Sequence, residues 1–292
     1  MEEAWIPDHG ASIFVESTGE GPTALVMPVA WGMSHDFYRE LLGDLELSLR
    51  LTHFDPHGTG RSGPRTAGWS PANIVDEAET VREHLGHEQV ILFGHASGAF
   101  LSIAYALDHP EHATALILSN PFASVQRARE LSHDRLEATP NWNAFQKRVS
   151  EIRRVELSSE ERFRATFKEQ RAVDLLDYGP HYFAMADAAD AATFNPSMTD
   201  DEHTDFLDEL SLIDAPVLII TGRYDPIVPV EESRLMAAEF PYVRLIELGA
   251  SAHYPFVEQP EEFSYAVRTF VEELQSDDTE EPEPWPADLP HS

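Results

Sequence analysis

The run Val90-Ile91-Leu92-Phe93-Gly94-His95-Ala96-Ser97-Gly98-Ala99 decides how the rest of the chain is read. An apolar run leads into a turn of small residues and an amphipathic segment follows, the signature of a strand, a sharp turn and a helix. Glycines at 94 and 98 flank the turn because a Cβ beside its tip would collide with backbone. An elbow of the form G-x-S-x-G presents a nucleophilic serine at that tip. Here the tip is Ala96. Its methyl group can neither attack a carbonyl nor share a proton with a histidine.

Outward from the elbow, short apolar runs alternate with longer amphipathic ones. Strands are expected over 12–16, 22–27, 49–54, 89–93, 113–118, 216–221 and 242–248, several of them nearly continuous in Val, Ile and Leu. Such runs suit parallel strands buried on both faces. Helices are expected over 36–45, 71–85, 97–108, 231–238 and 260–274, where apolar residues recur at three- and four-residue spacing. Ser70-Pro71 reads as an N-cap followed by proline in the first turn. The pattern predicts an α/β fold, a mostly parallel central sheet flanked by helices. Between about 121 and 212 the alternation stops and the chain reads as helical. We expect a lid inserted into a core formed by 1–120 and 213–275, and a disordered acidic tail over 276–292.

Two downstream segments complete a constellation. Thr221-Gly222-Arg223-Tyr224-Asp225-Pro226 places a carboxylate just after a strand, and Gly249-Ala250-Ser251-Ala252-His253-Tyr254 places a histidine after the last one. Nucleophile position, acid and histidine thus follow in that order, each at the carboxyl end of an expected strand, where an open α/β sheet puts its cleft. Asp225 is also compatible with a simple turn before Pro226, and His253 is one of 14 histidines. His95 precedes the tip and reads as a packing residue beneath the turn; His35 and His57 read as loop-structural. The histidine spacings suggest no metal site.

These residues resemble the α/β-hydrolase superfamily, and within it the proline iminopeptidase-like group. Trp31-Gly32-Met33-Ser34-His35-Asp36-Phe37-Tyr38 and the loop Phe54-Asp55-Pro56-His57-Gly58-Thr59-Gly60-Arg61-Ser62 carry the likeness. The group's His-Gly-Gly-Pro-Gly loop is replaced by Pro28-Val29-Ala30-Trp31-Gly32, closer to the Pro-Gly-Trp-Gly loop of esterase-like and lactonase-like relatives. The resemblance implies a serine hydrolase acting on a carboxylic ester, lactone or amide of a small substrate, without a cofactor or metal. His253 would be the general base and Asp225 its orienting acid. The oxyanion hole would be formed by the N–H of Ser97 and donors from Ala30 and Trp31. Trp31, Tyr182 and Phe183 are expected in the substrate pocket.

Three readings of Ala96 stay open. In the first, alanine replaces serine so that an intact ligand is trapped; in the second, the chain is a natural non-catalytic receptor or pseudoenzyme on this fold; in the third, a water held by His253 acts instead. In the first two, turnover by the chain as it stands should be close to nil.

Composition bounds the rest. The 292 residues are 42% hydrophobic, enough for one core with an insertion. The absence of cysteine excludes disulfides and thiol catalysis. No run approaches the roughly 20 apolar residues of a membrane span, and the opening Met1-Glu2-Glu3-Ala4-Trp5 does not resemble a signal peptide, so a cytoplasmic monomer or homodimer is expected. Lys plus Arg number 20 against 52 Asp plus Glu, a net charge of −32, which disfavours nucleic acid and anionic membranes as partners. The acids are spread along the whole chain and Lys147 and Lys168 are its only lysines, a pattern that resembles halophile proteins.

Overall fold

The computed structural model describes residues 1–28, 32–65, 68–176 and 204–276. The expected tail therefore lies almost entirely outside the described residues, as do Ala30, Trp31, Tyr178, Tyr182 and Phe183.

An eight-stranded sheet runs in the order β1-β2-β4-β3-β5-β6-β7-β8. Its strands are β1 Glu2–Asp8, β2 Ala11–Thr18, β3 Thr23–Val26, β4 Arg50–Asp55, β5 Val90–His95, β6 Ala113–Ser119, β7 Val217–Gly222 and β8 Val243–Leu248. β1 and β2 pair antiparallel, β2 joins β4 antiparallel, and every pairing from β4 across to β8 is parallel. The central strands are buried on both faces, so successive residues serve different cores. Ile91, Phe93, Ile117, Leu218 and Ile220 belong to one apolar cluster. Leu92, Leu116, Leu118, Val217 and Ile219 belong to the other. This two-sided burial is why these strands read as unbroken apolar runs.

Helices cover both faces. Among the described residues they are α1 Asp36–Arg39, α2 Pro71–His84, α3 Ser97–Asp108, α4 Val125–Ala138, α5 Trp142–Ile152, α6 Ser159–Asp174, α7 Val230–Glu239, α8 Pro255–Glu258 and α9 Pro260–Gln275. Ser70 caps α2 as expected, its hydroxyl accepting the Asn73 N–H at 3.2 Å. The helix expected over 36–45 is broken: α1 is a single turn, and a 3-10 segment, Gly43–Leu47, follows. Phe37, Tyr38, Leu42 and Leu45 still bury on the same core, so the apolar spacing was satisfied without one continuous helix.

In place of strand alternation, α4, α5, α6 and a 3-10 segment, Leu207–Leu212, lie between β6 and β7. Midway along α6, Phe167 packs edge-on against Phe37, ring centroids 5.7 Å apart, and Phe163 stacks on Phe167 at 5.6 Å. These two aromatics belong to the interior. Among the described residues no helix is long and apolar enough to cross a membrane.

Candidate active site

The elbow forms where the sequence places it. Ala96 sits between β5 and α3 with φ 50° and ψ −111°, in the left-handed half of backbone space that a residue with a Cβ disfavours. The surroundings impose this conformation. The Ala96 N–H donates to the Ser119 carbonyl at 2.9 Å, and the Ala96 carbonyl accepts from Phe100 at 3.2 Å as α3 begins. A Cβ on Gly94 would overlap the Gly98 carbonyl, and one on Gly98 would lie 2.9 Å from the Met27 carbonyl. Both glycines are needed for close approach. Ser97 is buried and opens α3, at a position whose N–H lies outside the intrahelical ladder.

Asp225 and His253 come together from loops after β7 and β8. Their side chains are 0% and 2% exposed, and His253 Nδ1 lies 2.8 Å from Asp225 Oδ2. A carboxylate only accepts, so Nδ1 carries the proton and Nε2 is the accepting atom of the neutral ring. Burial pulls the imidazole toward its neutral form, but the charge and hydrogen bond of Asp225, together with the charges of Asp174 and Glu258, outweigh it. His253 therefore holds its proton above the ordinary histidine value. The other oxygen of Asp225, Oδ1, accepts the N–H groups of Ile227 at 2.7 Å and Val228 at 3.0 Å.

His95 does more than pack. Its Nε2 donates to the His253 carbonyl at 2.7 Å, which leaves Nδ1 to accept from the Tyr38 hydroxyl at 3.1 Å. Burial, followed by the nearby His253, keeps this ring neutral, its pKa well below the usual value. A rigid, uncharged linker thus joins the elbow strand to the backbone of the histidine loop.

Three further residues carry no local signature in the sequence. Asn120, just after β6, is fully buried and donates to Asp225 Oδ2 and to the Ala252 carbonyl. Asp174, at the end of α6, is also fully buried and accepts the His253 N–H on its main-chain oxygen at 2.8 Å. Glu258, in α8, accepts the Ala252 N–H at 2.8 Å and the Leu176 N–H at 2.6 Å. All three act across large sequence separations, which no local motif records.

His35 and His57 are structural, as read. His35 Nδ1 meets Asp55 Oδ1 at 3.0 Å, and His57 Nε2 meets Asp8 Oδ2 at 2.9 Å. One cluster with metal-ligand chemistry does occur among the described residues: Glu79, His109 and His112 bring ligand atoms within 4.8 Å of one another. Glu79, however, already accepts Arg82 on both oxygens, at 2.9 and 2.6 Å, as well as the Tyr105 hydroxyl at 2.5 Å, with His112 Nδ1 3.0 Å away as an ion-pair neighbour. Those partners outweigh burial and hold its carboxyl down at about 2, so the cluster is an ion-pair hub.

With this geometry in hand, comparison with known proteins is decisive at the level of family. Residues 23–260 match the family described as alpha/beta hydrolase fold. The chain belongs to that family. Among similar α/β-hydrolase-like sequences, a pimeloyl-[acyl-carrier protein] methyl ester esterase of Edwardsiella ictaluri is 25% identical over 270 residues, 90% of this chain and 98% of the relative. A proline iminopeptidase of Thermoplasma volcanium is 25% identical over 256 residues, 82% of this chain and 85% of that protein. Among solved structures, an α/β-fold hydrolase from Bacillus anthracis str. Sterne superposes with a TM-score of 0.77 at 18% identity, covering 94% of this chain and 99% of that one. The family is thus established, while the iminopeptidase-like group is one of at least two activities represented among the relatives.

Proposed function

We propose that this α/β hydrolase is built to process a carboxylic ester, lactone or amide of a small substrate, and that alanine at position 96 leaves it able to bind that substrate but not to turn it over. The observation that carries the reading is the buried Asp225–His253 pair, bonded at 2.8 Å beside the carboxyl ends of the strands. With serine at 96, His253 Nε2 would take the hydroxyl proton as Oγ attacks the carbonyl carbon, then return it to the leaving group as that bond breaks. Asp225 fixes the ring tautomer and stabilises the imidazolium. The tetrahedral oxyanion would be received by the Ser97 N–H and by donors of the Ala30-Trp31 loop. Helices α4 to α6 would serve as the lid over this site, with Tyr182 and Phe183 lining the pocket.

An ester or lactone is favoured over a prolyl amide by the Pro28-Val29-Ala30-Trp31-Gly32 loop and by the esterases among the relatives. The second reading, a non-catalytic ligand-binding receptor, is favoured by Ala96 itself beside the Asp225–His253 pair. Ala96→Ser separates the two. Assayed with short p-nitrophenyl esters, acyl lactones and prolyl amides, in dilute and in molar salt, the revertant should hydrolyse at least one class many orders of magnitude faster than the unaltered chain. Inactivity against all of them, with ligand binding retained by the alanine form, would establish the receptor.

A further inference from the structure

Asn120 departs from β6 with φ 45°, and its N–H donates to the Ile220 carbonyl of β7 at 2.9 Å. Its side-chain nitrogen reaches two groups that can only accept, Asp225 Oδ2 and, at 3.1 Å, the Ala252 carbonyl. The amide orientation is therefore forced, with NH2 on this side, and both of its protons are used. On Asp225, Oδ1 holds the Ile227 and Val228 N–H groups and Oδ2 holds His253 Nδ1 and Asn120. Four donors fill the roughly four lone-pair sites of a carboxylate. Two belong to the acid's own turn and one to the histidine. The fourth comes from another strand and also grips the residue before His253.

We propose that Asn120 is a positioning residue: its amide ties the acid loop to the histidine loop and, by dispersing part of the Asp225 charge, limits how tightly His253 holds its proton. The inference rests on the reading of Asp225–His253 as the acid–base pair. A neutral donor removed from a buried carboxylate leaves that charge more dependent on the imidazolium, so proton affinity at His253 rises. Among the described residues, the other groups facing His253 are the carboxylates of Asp174 and Glu258, the His95 ring, its centroid 4.7 Å away, and the Tyr254 ring at 5.0 Å. None of these is removed by a change at 120.

A left-handed backbone alone would also select asparagine, and two variants tell the roles apart. Asn120→Gly suits the backbone and lacks the amide; Asn120→Ala lacks the amide and keeps the Cβ. Histidine-labelled chains, with Ala96 as it stands, are titrated by imidazole NMR, and His253 is assigned by the signal lost in His253→Gln. The expected result is a roughly threefold or larger rise in His253 proton affinity in both variants, with a displaced Nδ1–H resonance in each. An unchanged or lower His253 pKa in whichever variant folds overturns the proposal, even if thermal stability falls. Absence of a hydrogen-bonded Nδ1–H signal in the unaltered chain would overturn the acid–base pairing as well, so failure of the inference and failure of the functional reading are distinguishable.

Discussion

The main-chain N–H of His253 is held by the carbonyl of Asp174, 2.8 Å away, so the histidine loop is anchored to the last residue of α6 and not only to the sheet. Glu258 completes the attachment by accepting from Ala252 on one side and from Leu176 on the other. Glu258→Ala leaves two main-chain donors without this acceptor, and we expect a loss of about 2 kcal/mol or more in chemical denaturation. Amide exchange should accelerate at Leu176 and Ala252 before it does in the central strands. Equal exchange at those two sites would show that Glu258 is not what couples them.

Alanine is an uncomfortable occupant of the elbow. With φ at 50°, Ala96→Gly should stabilise the protein by about 1 kcal/mol, against the usual direction of such a change. A denaturation midpoint lowered by this substitution would mean that the turn is relaxed rather than strained.

The pH dependence of the Ala96→Ser enzyme follows from the sign of the His253 shift. A general base must be unprotonated, and the ring's affinity for its proton is raised above the ordinary 6.5. The acid limb of kcat/KM should therefore have its midpoint above 6.5, with activity rising as pH increases through it. For stability the same group acts oppositely: its contribution is complete below the unfolded value and is lost as pH climbs through the folded one. A pH–rate profile with a midpoint below 6.5 contradicts the electrostatics described for the site.

His53 gives an acid-side counterpart. It lies in β4 beside Glu16 of β2, fully buried, and neither ring nitrogen has a hydrogen-bond partner among the described residues. Burial, aided by His35 and Arg39, pushes its pKa down to about 3. The folded state must keep this ring neutral, so the stability it contributes is present above the unfolded value of 6.5 and is lost as pH falls toward 3. His53→Leu should reduce the acid sensitivity of folding by roughly 1–3 kcal/mol at the low end of that window, measured by urea melts across it.

The charge of −32 predicts a salt response. Molar potassium chloride, with a Debye length of about 3 Å, screens the repulsion among the acids and should raise the melting temperature. Equal or lower stability in high salt would remove the basis for the halophile reading.

Much of this architecture was legible because its physics is local. The seven expected strands form, since unbroken apolar runs have few alternatives once helices cover both sheet faces. β1 escaped notice: in Glu2–Asp8 only Ile6 is fully buried, and an antiparallel edge strand carrying three acids and a proline offers almost no pattern. The loops that carry Asp225 and His253 were legible because each follows a strand within a turn-forming segment. Asn120, Asp174 and Glu258 were not. An isolated asparagine after a strand carries no periodicity, and its bond to Asp225 spans 105 positions of chain.

The backbone of residue 96 is dictated by its neighbours, through the Ser119 carbonyl and the tight approach of Gly94 to Gly98. The identity of the side chain there is thus uncoupled from the shape of the turn. Other small residues could be installed at that point without redesigning the scaffold around them.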